Sequence, residues 1–104
     1  MPKFLLAYHG GGMPETPEEG EKVMAAWGKW MNDHASSFKD PGAPVGASKT
    51  VSPSGTADGG GSNPTSGYTI VTADSIDAAC KIASSNPMVE DGSGSVEVAE
   101  IIHM

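Results

Sequence analysis

Three features of this 104-residue sequence predict an α+β chain ordered β-α-β-β-α-β. The first is a capped amphipathic helix, Thr16 to His34, that follows a short apolar strand. The second is a β-branched and aromatic run, Tyr68 to Thr72 (YTIVT), that leads straight into another helical pattern. The third is a closing strand pattern, Val96 to Ile102 (VEVAEII). With right-handed crossovers this order gives a ferredoxin-like four-stranded antiparallel sheet with both helices on one face.

Taken in order, Lys3 to Tyr8 (KFLLAY) is the first strand. Phe4, Leu6 and Tyr8 alternate with Leu5 and Ala7, so both faces are apolar. In the first helix Thr16 is the N-cap, Pro17 fits the first helical position, and Glu19 completes a capping box. Val23, Trp27, Trp30, Met31 and His34 recur at helical spacing and form its inner face, with Glu21, Lys22, Lys29 and Asn32 elsewhere. Ala35-Ser36-Ser37 ends the helix, and Asp40-Pro41-Gly42 is a turn signal. A second strand is expected over Val45 to Val51, near an edge because Pro44 and Pro53 bracket it. Ser52 to Gly67, dense in Gly, Ser and Pro, reads as a flexible hairpin loop. After the Tyr68–Thr72 strand, Asp74 or Ser75 caps a second helix with Ile76, Ala79, Cys80 and Ala83 inward, and Asn86-Pro87 ends it.

Composition narrows the function classes. A chain this long builds one modest core, so residues 1–104 are read as a single domain. Six Lys+Arg against 13 Asp+Glu give a net charge of −7, which argues against nucleic acid and anionic membranes as partners. No apolar run approaches the ~20 residues of a membrane helix, and MPKFLLAY lacks a signal-peptide pattern. The lone Cys80 makes neither an intrachain disulfide nor a cysteine zinc site. A cytoplasmic protein is expected.

The two-faced strands raise a packing question. Helices on one side leave Leu5, Ile70 or Val71, and Val98 or Ile101 to supply apolar side chains to the other. An apolar sheet face of that size is an interaction patch. Two copies packed sheet to sheet resolve it, so a homodimer of the dimeric α+β barrel kind is expected.

KFLLAYHGG, PETPEEGEKVMAAWGKW, KDPGAPVGASKTV, GYTIVTADSIDAACKIASSNP and GSVEVAEIIHM follow one another in an order and spacing that resembles the YCII-related family, also known for its DGPF motif. The resemblance runs nearly end to end. It implies a ferredoxin-like fold and a dimeric barrel, in a family most of whose members have no assigned reaction. The segment between the middle strands reads TADGGGSNPTSG and has no DGPF. The better-described branch also has a proposed His–Asp pair, with His on the first helix and Asp just before the proline that ends the second. Those positions hold Val23 or Met24 and Asn86 here, so the resemblance carries no such pair over.

Chemistry-bearing residues are few. His34 lies on the inner helix face, as a general base or as a core-edge histidine suited to the helix dipole. His9 ends the first strand beside Gly10, Gly11 and Gly12 and is a candidate pocket-rim residue. HGGG imitates a lipase oxyanion loop, but no Gly-x-Ser-x-Gly elbow accompanies it. His103 is placed at the surface or a dimer seam. Three scattered histidines without ligand spacing give no metal centre, Asp58-Gly59-Gly60-Gly61 is no phosphate loop, and no cofactor is called for. Cys80 is read as a small core hydrophobe. Trp27 and Trp30 are core residues that can also wall a pocket, with Tyr68, Asp40 and Lys49 as candidate polar ligand contacts. The leading expectation is a homodimeric domain that binds a small organic ligand and has no assigned reaction. The alternative is a small lyase-like enzyme with His9 or His34 as acid/base in a helix–sheet pocket.

Overall fold

Alternation along the first strand organises the chain. The computed structural model describes residues 1–11, 15–61 and 63–102; His103 and the last glycine of HGGG, Gly12, lie outside them. Among the described residues the elements run β1 (Lys3–Gly10), α1 (Pro17–Asp33), β2 (Phe38–Pro44), β3 (Lys49–Ser52), β4 (Gly55–Asp58), β5 (Thr65–Thr72), α2 (Ile76–Ser84), α3 (Pro87–Glu90) and β6 (Gly94–Glu100). The main sheet has the order β2-β5-β1-β6 with every neighbour antiparallel, the ferredoxin-like order predicted from the sequence. β3 and β4 form a separate two-stranded ribbon.

The register sorts side chains into two faces. Phe4, Leu6 and Tyr8 of β1 pair with Val71, Thr69 and Gly67 of β5, and all six are buried under the helices. Leu5 and Ala7 pair with Ile70 and Tyr68, half-buried on the opposite face. Among the described residues no helix covers that second face, and the molecule is correspondingly flat, 44 × 42 × 19 Å. The core gathers Phe4, Leu6, Tyr8, Trp30, Val71, Ala79, Ile82, Ala83 and Met88 between sheet and helices.

Helix starts follow their caps. Thr16 Oγ1 accepts from the Glu19 N–H at 3.1 Å, and Pro17 opens α1. The Glu19 carboxylate reaches back one residue further than a capping box requires, to the Glu15 N–H. Ser75 caps α2 by accepting from the Ala78 N–H at 3.1 Å.

Several local expectations are corrected. The second sheet strand is Phe38–Pro44, not Val45–Val51. Asp40-Pro41-Gly42 makes its turn inside that strand: Asp40 Oδ1 accepts from the Gly42 N–H at 2.9 Å, and Gly42 takes a φ of 73°, while Phe38 and Pro44 pair with β5 on either side. The expected loop from Ser52 to Gly67 contains β4 and the first residues of β5. Val23 is 41 % exposed because the first turns of α1 overlie an open groove. On α2 the inner stripe is Ala79, Ile82 and Ala83; Cys80 and Ile76 face out, since a stripe anchored on Ile82 turns them away from the sheet. Asn86-Pro87 begins α3 as well as ending α2, with Asn86 Oδ1 accepting from the Met88 N–H at 2.9 Å.

Candidate functional site

α1 stands off from the sheet and meets it through aromatic side chains rather than close backbone approach. The Tyr8 and Trp27 rings are edge to face at 5.2 Å, Trp27 and Trp30 at 5.7 Å, and Trp30 and Phe38 at 5.2 Å. Such a ladder holds the helix at the height of an indole and leaves space beside it. That space is a cavity of about 310 Å³ lined by Tyr8, Trp27, Met31, Thr69 and Met88, with Pro41, Gly42, Ala43 and Pro44 of β2 and Ser66 and Tyr68 of β5 along one side. Its walls are chiefly aromatic rings, thioethers and proline rings, the lining common to small-molecule sites.

A directed hydrogen-bond relay crosses the cavity wall. The Tyr8 hydroxyl donates to Thr69 Oγ1 at 2.6 Å, and the Thr69 hydroxyl donates to the Pro41 carbonyl at 3.0 Å. Burial pushes the Tyr8 pKa up to about 12 against the opposing pull of the Thr69 bond, so the phenol is neutral at physiological pH. Tyr8, Thr69, Met31 and Met88 were not candidates from the sequence. Thr69 carried a signal nonetheless: it is a polar residue at an inward position of an alternating strand, where a buried hydroxyl requires a partner.

The proposed sequence candidates distribute unevenly. Trp27 and Tyr68 belong to the cavity lining, although the register turns the Tyr68 side chain toward the uncovered sheet face beside Ala7. Trp30 is buried in the core, its indole N–H donating to the Ile82 carbonyl at 2.9 Å. His34 caps the end of α1 and packs its ring on Trp30 at 6.1 Å. Ser85 donates to Ile82 O, so its oxygen accepts from His34 Nε2–H at 3.0 Å, and the imidazole joins α1 to α2. Asp40 is occupied with Gly42, and Lys49 is paired with Asp58 at 2.6 Å across the β3–β4 ribbon. The structure therefore does not bring Asp40 and Lys49 together at a pocket mouth.

His9 lies on the uncovered face, away from the cavity. Nδ1 faces the Asn63 and Pro64 carbonyls at 3.1 and 3.3 Å, and Nε2 faces Glu97 Oε1 at 3.1 Å. Its side chain is 10 % exposed while that of Glu97 is 69 % exposed. All three partners are acceptors, so each ring nitrogen faces an acceptor. Asn86, at the position where the resemblance implies an acid, is fully buried, and its Nδ2 finds no partner among the described residues. Among those residues no group of three His, Cys, Asp or Glu side chains converges as a metal site. No helix there is long and apolar enough to cross a membrane.

A broader groove of about 650 Å³ lies on the other side of Trp27 and Met88, rimmed by Glu19, Lys22, Glu90 and Asp91. Both residues line the apolar cavity as well.

No family model matches the chain, and no curated protein matches it. Among solved structures, the chain is similar to 5-chloro-2-hydroxyhydroquinone dehydrochlorinase from Burkholderia phenoliruptrix AC1100, solved in complex with 2,5-dihydroxybenzoquinone. The TM-score is 0.60 over 98% of this chain and 95% of that one, at 17% identity. At that identity the likeness shows a shared α+β fold over almost the whole length of both chains.

Proposed function

We propose that this chain is a homodimeric small-molecule-binding domain of the YCII-related kind, with its ligand site in the cavity between α1 and the sheet. The observation that carries the reading is the cavity itself: about 310 Å³, chiefly apolar, with Trp27, Tyr8 and Thr69 in its lining and the Tyr8–Thr69 hydrogen bond within that lining. A volume near the lower end of the ~300–1,000 Å³ range of ligand sites suits a molecule of one ring with small substituents. The structurally similar dehydrochlorinase, solved in complex with the small cyclic molecule 2,5-dihydroxybenzoquinone, supports a small organic molecule as the ligand class.

The dimer follows from the uncovered sheet face. Leu5, Ala7 and Ile70 lie there with no covering helix among the described residues, and Ile101 and Ile102 beyond β6 are 38 % and 70 % exposed. A second copy packed face to face removes this surface from water on both sides. Ile70→Asp tests it, because Ile70 is outside the core cluster. The substituted protein is expected to keep its circular dichroism and sediment as a monomer, while the parent sediments as a dimer at micromolar concentration. A parent that is monomeric at that concentration refutes the dimer.

A lyase-like enzyme is the second reading. What favours it is the His9–Glu97 pair, a mostly buried imidazole held against a carboxylate. Under this reading His9→Gln abolishes turnover of a substrate found by screening and leaves the fold intact; unchanged turnover eliminates His9 as its acid or base.

A further inference from the structure

The relay beneath the cavity has a fixed direction, and that direction selects the ligand. A proline carbonyl can only accept, so the single Thr69 proton is committed to Pro41 O. The Thr69 oxygen must then accept, and the single Tyr8 proton is committed to it. Tyr8 Oη is left with acceptor capacity alone, and Tyr8 and Thr69 both belong to the lining of the apolar cavity. The Pro41 and Pro44 rings carry no N–H, and the Gly42 N–H is taken by Asp40.

We infer that the cavity selects neutral, hydroxyl-bearing aromatic molecules, whose O–H donates to Tyr8 Oη while the ring packs against Trp27 and the Met31 and Met88 thioethers. The inference rests on the proposed ligand site and specifies its substrate class. An anion is disfavoured twice, by desolvation among apolar walls and by the lone pairs of Tyr8. A ring that carries only an acceptor, such as an aldehyde or ether, sets its oxygen against another acceptor. Sulfur–ring contacts with methionine and the edge-to-face habit of Trp27 suit a flat ring. The Trp27 indole N–H and the Ser66 and Tyr68 hydroxyls also belong to lining residues, so the share due to Tyr8 is isolated by changing Tyr8 itself.

The test is a calorimetric or NMR titration of the full chain with phenol, anisole, benzaldehyde and benzoate. Phenol is expected to bind about three- to tenfold more tightly than anisole or benzaldehyde, the value of one net hydrogen bond, and benzoate more weakly than all three. Tyr8→Phe is expected to erase the advantage of phenol and leave anisole nearly unchanged. Thr69→Val removes the acceptor that holds the Tyr8 proton, so Tyr8 is free to donate and benzaldehyde is expected to gain on phenol. A Trp30 signal unchanged from the parent shows that each variant retains its core.

Equal binding of phenol and anisole to the parent, or an advantage that survives Tyr8→Phe, overturns the inference and leaves the ligand site standing. Failure of all four probes to perturb the cavity overturns the site and the inference together.

Discussion

Gly42 is the residue on which the cavity edge depends, and replacing it by alanine is a sharp test of the architecture. Its φ of 73° lies in the left-handed region, where a Cβ costs about 1–2 kcal/mol. The added carbon also has nowhere to go: it falls on the Tyr68 carbonyl oxygen and 2.6 Å from that carbonyl's carbon. Backbone of a central strand cannot yield as a side-chain tip does, so β2 must lift from β5 near the Ala43–Tyr68 pair. Overpacking of this kind costs about 1–3 kcal/mol. The sum, about 2–5 kcal/mol, is a large part of the ~5–15 kcal/mol by which domains of this size are stable. Gly28→Ala is the control, since Gly28 sits inside α1 with open space around it and is expected to gain about 0.5–1 kcal/mol. Urea unfolding of the two variants beside the parent reads both. Gly42→Ala within 0.5 kcal/mol of the parent, or the two changes shifting stability in the same direction, refutes the reasoning about the bulged edge strand.

Two other outcomes follow from the packing. Trp30→Phe removes the indole donor to Ile82 O and trims a buried ring, with an expected loss of about 1.5–3 kcal/mol in urea unfolding; a loss below about 0.5 kcal/mol counts against the α1–α2 staple. The buried Tyr8 phenol has a folded pKa raised above its unfolded value of 10.0, to about 12. Its contribution is thus fully present below pH 10 and lost as pH rises through the folded pKa, a fall of roughly 2–3 kcal/mol. Tyr8→Phe should flatten that alkaline limb relative to the parent, and superimposable limbs refute the burial argument.

The sequence exposed the order of elements because each had local chemistry that agreed with its place. The Thr16–Glu19 cap, the Ser75 cap and the alternation of Phe4, Leu6 and Tyr8 all act within a few residues, and all operate in the structure. β2 was hidden for the opposite reason. Asp40, Pro41 and Gly42 have the chemistry of a turn and do make one, but long-range pairing with β5 absorbs it as a bulge. A segment of Pro and Gly survives there because β2 is an edge strand, free of a second ladder. The inner stripe of α2 was misplaced toward Cys80 because Ala79 and Ala83 suit either phase, and Ile82 decides between them by packing on the sheet. The cavity was legible only in part. Trp27 announced an aromatic wall, whereas the relay through Tyr8, Thr69 and Pro41 joins residues distant in sequence and exists only once the strands are aligned.

The two tryptophans offer the most direct measurement of the central proposal, that a small organic ligand occupies the space between α1 and the sheet. Trp27 lines that space, while Trp30 lies in the core with its N–H bonded to Ile82. In a nitrogen–proton correlation spectrum the two indole N–H signals are separately observable, and millimolar phenol can be titrated against both. Saturable displacement of the Trp27 signal, with the Trp30 signal nearly still, is the predicted result. No movement of Trp27, or movement of Trp30 alone, contradicts the account.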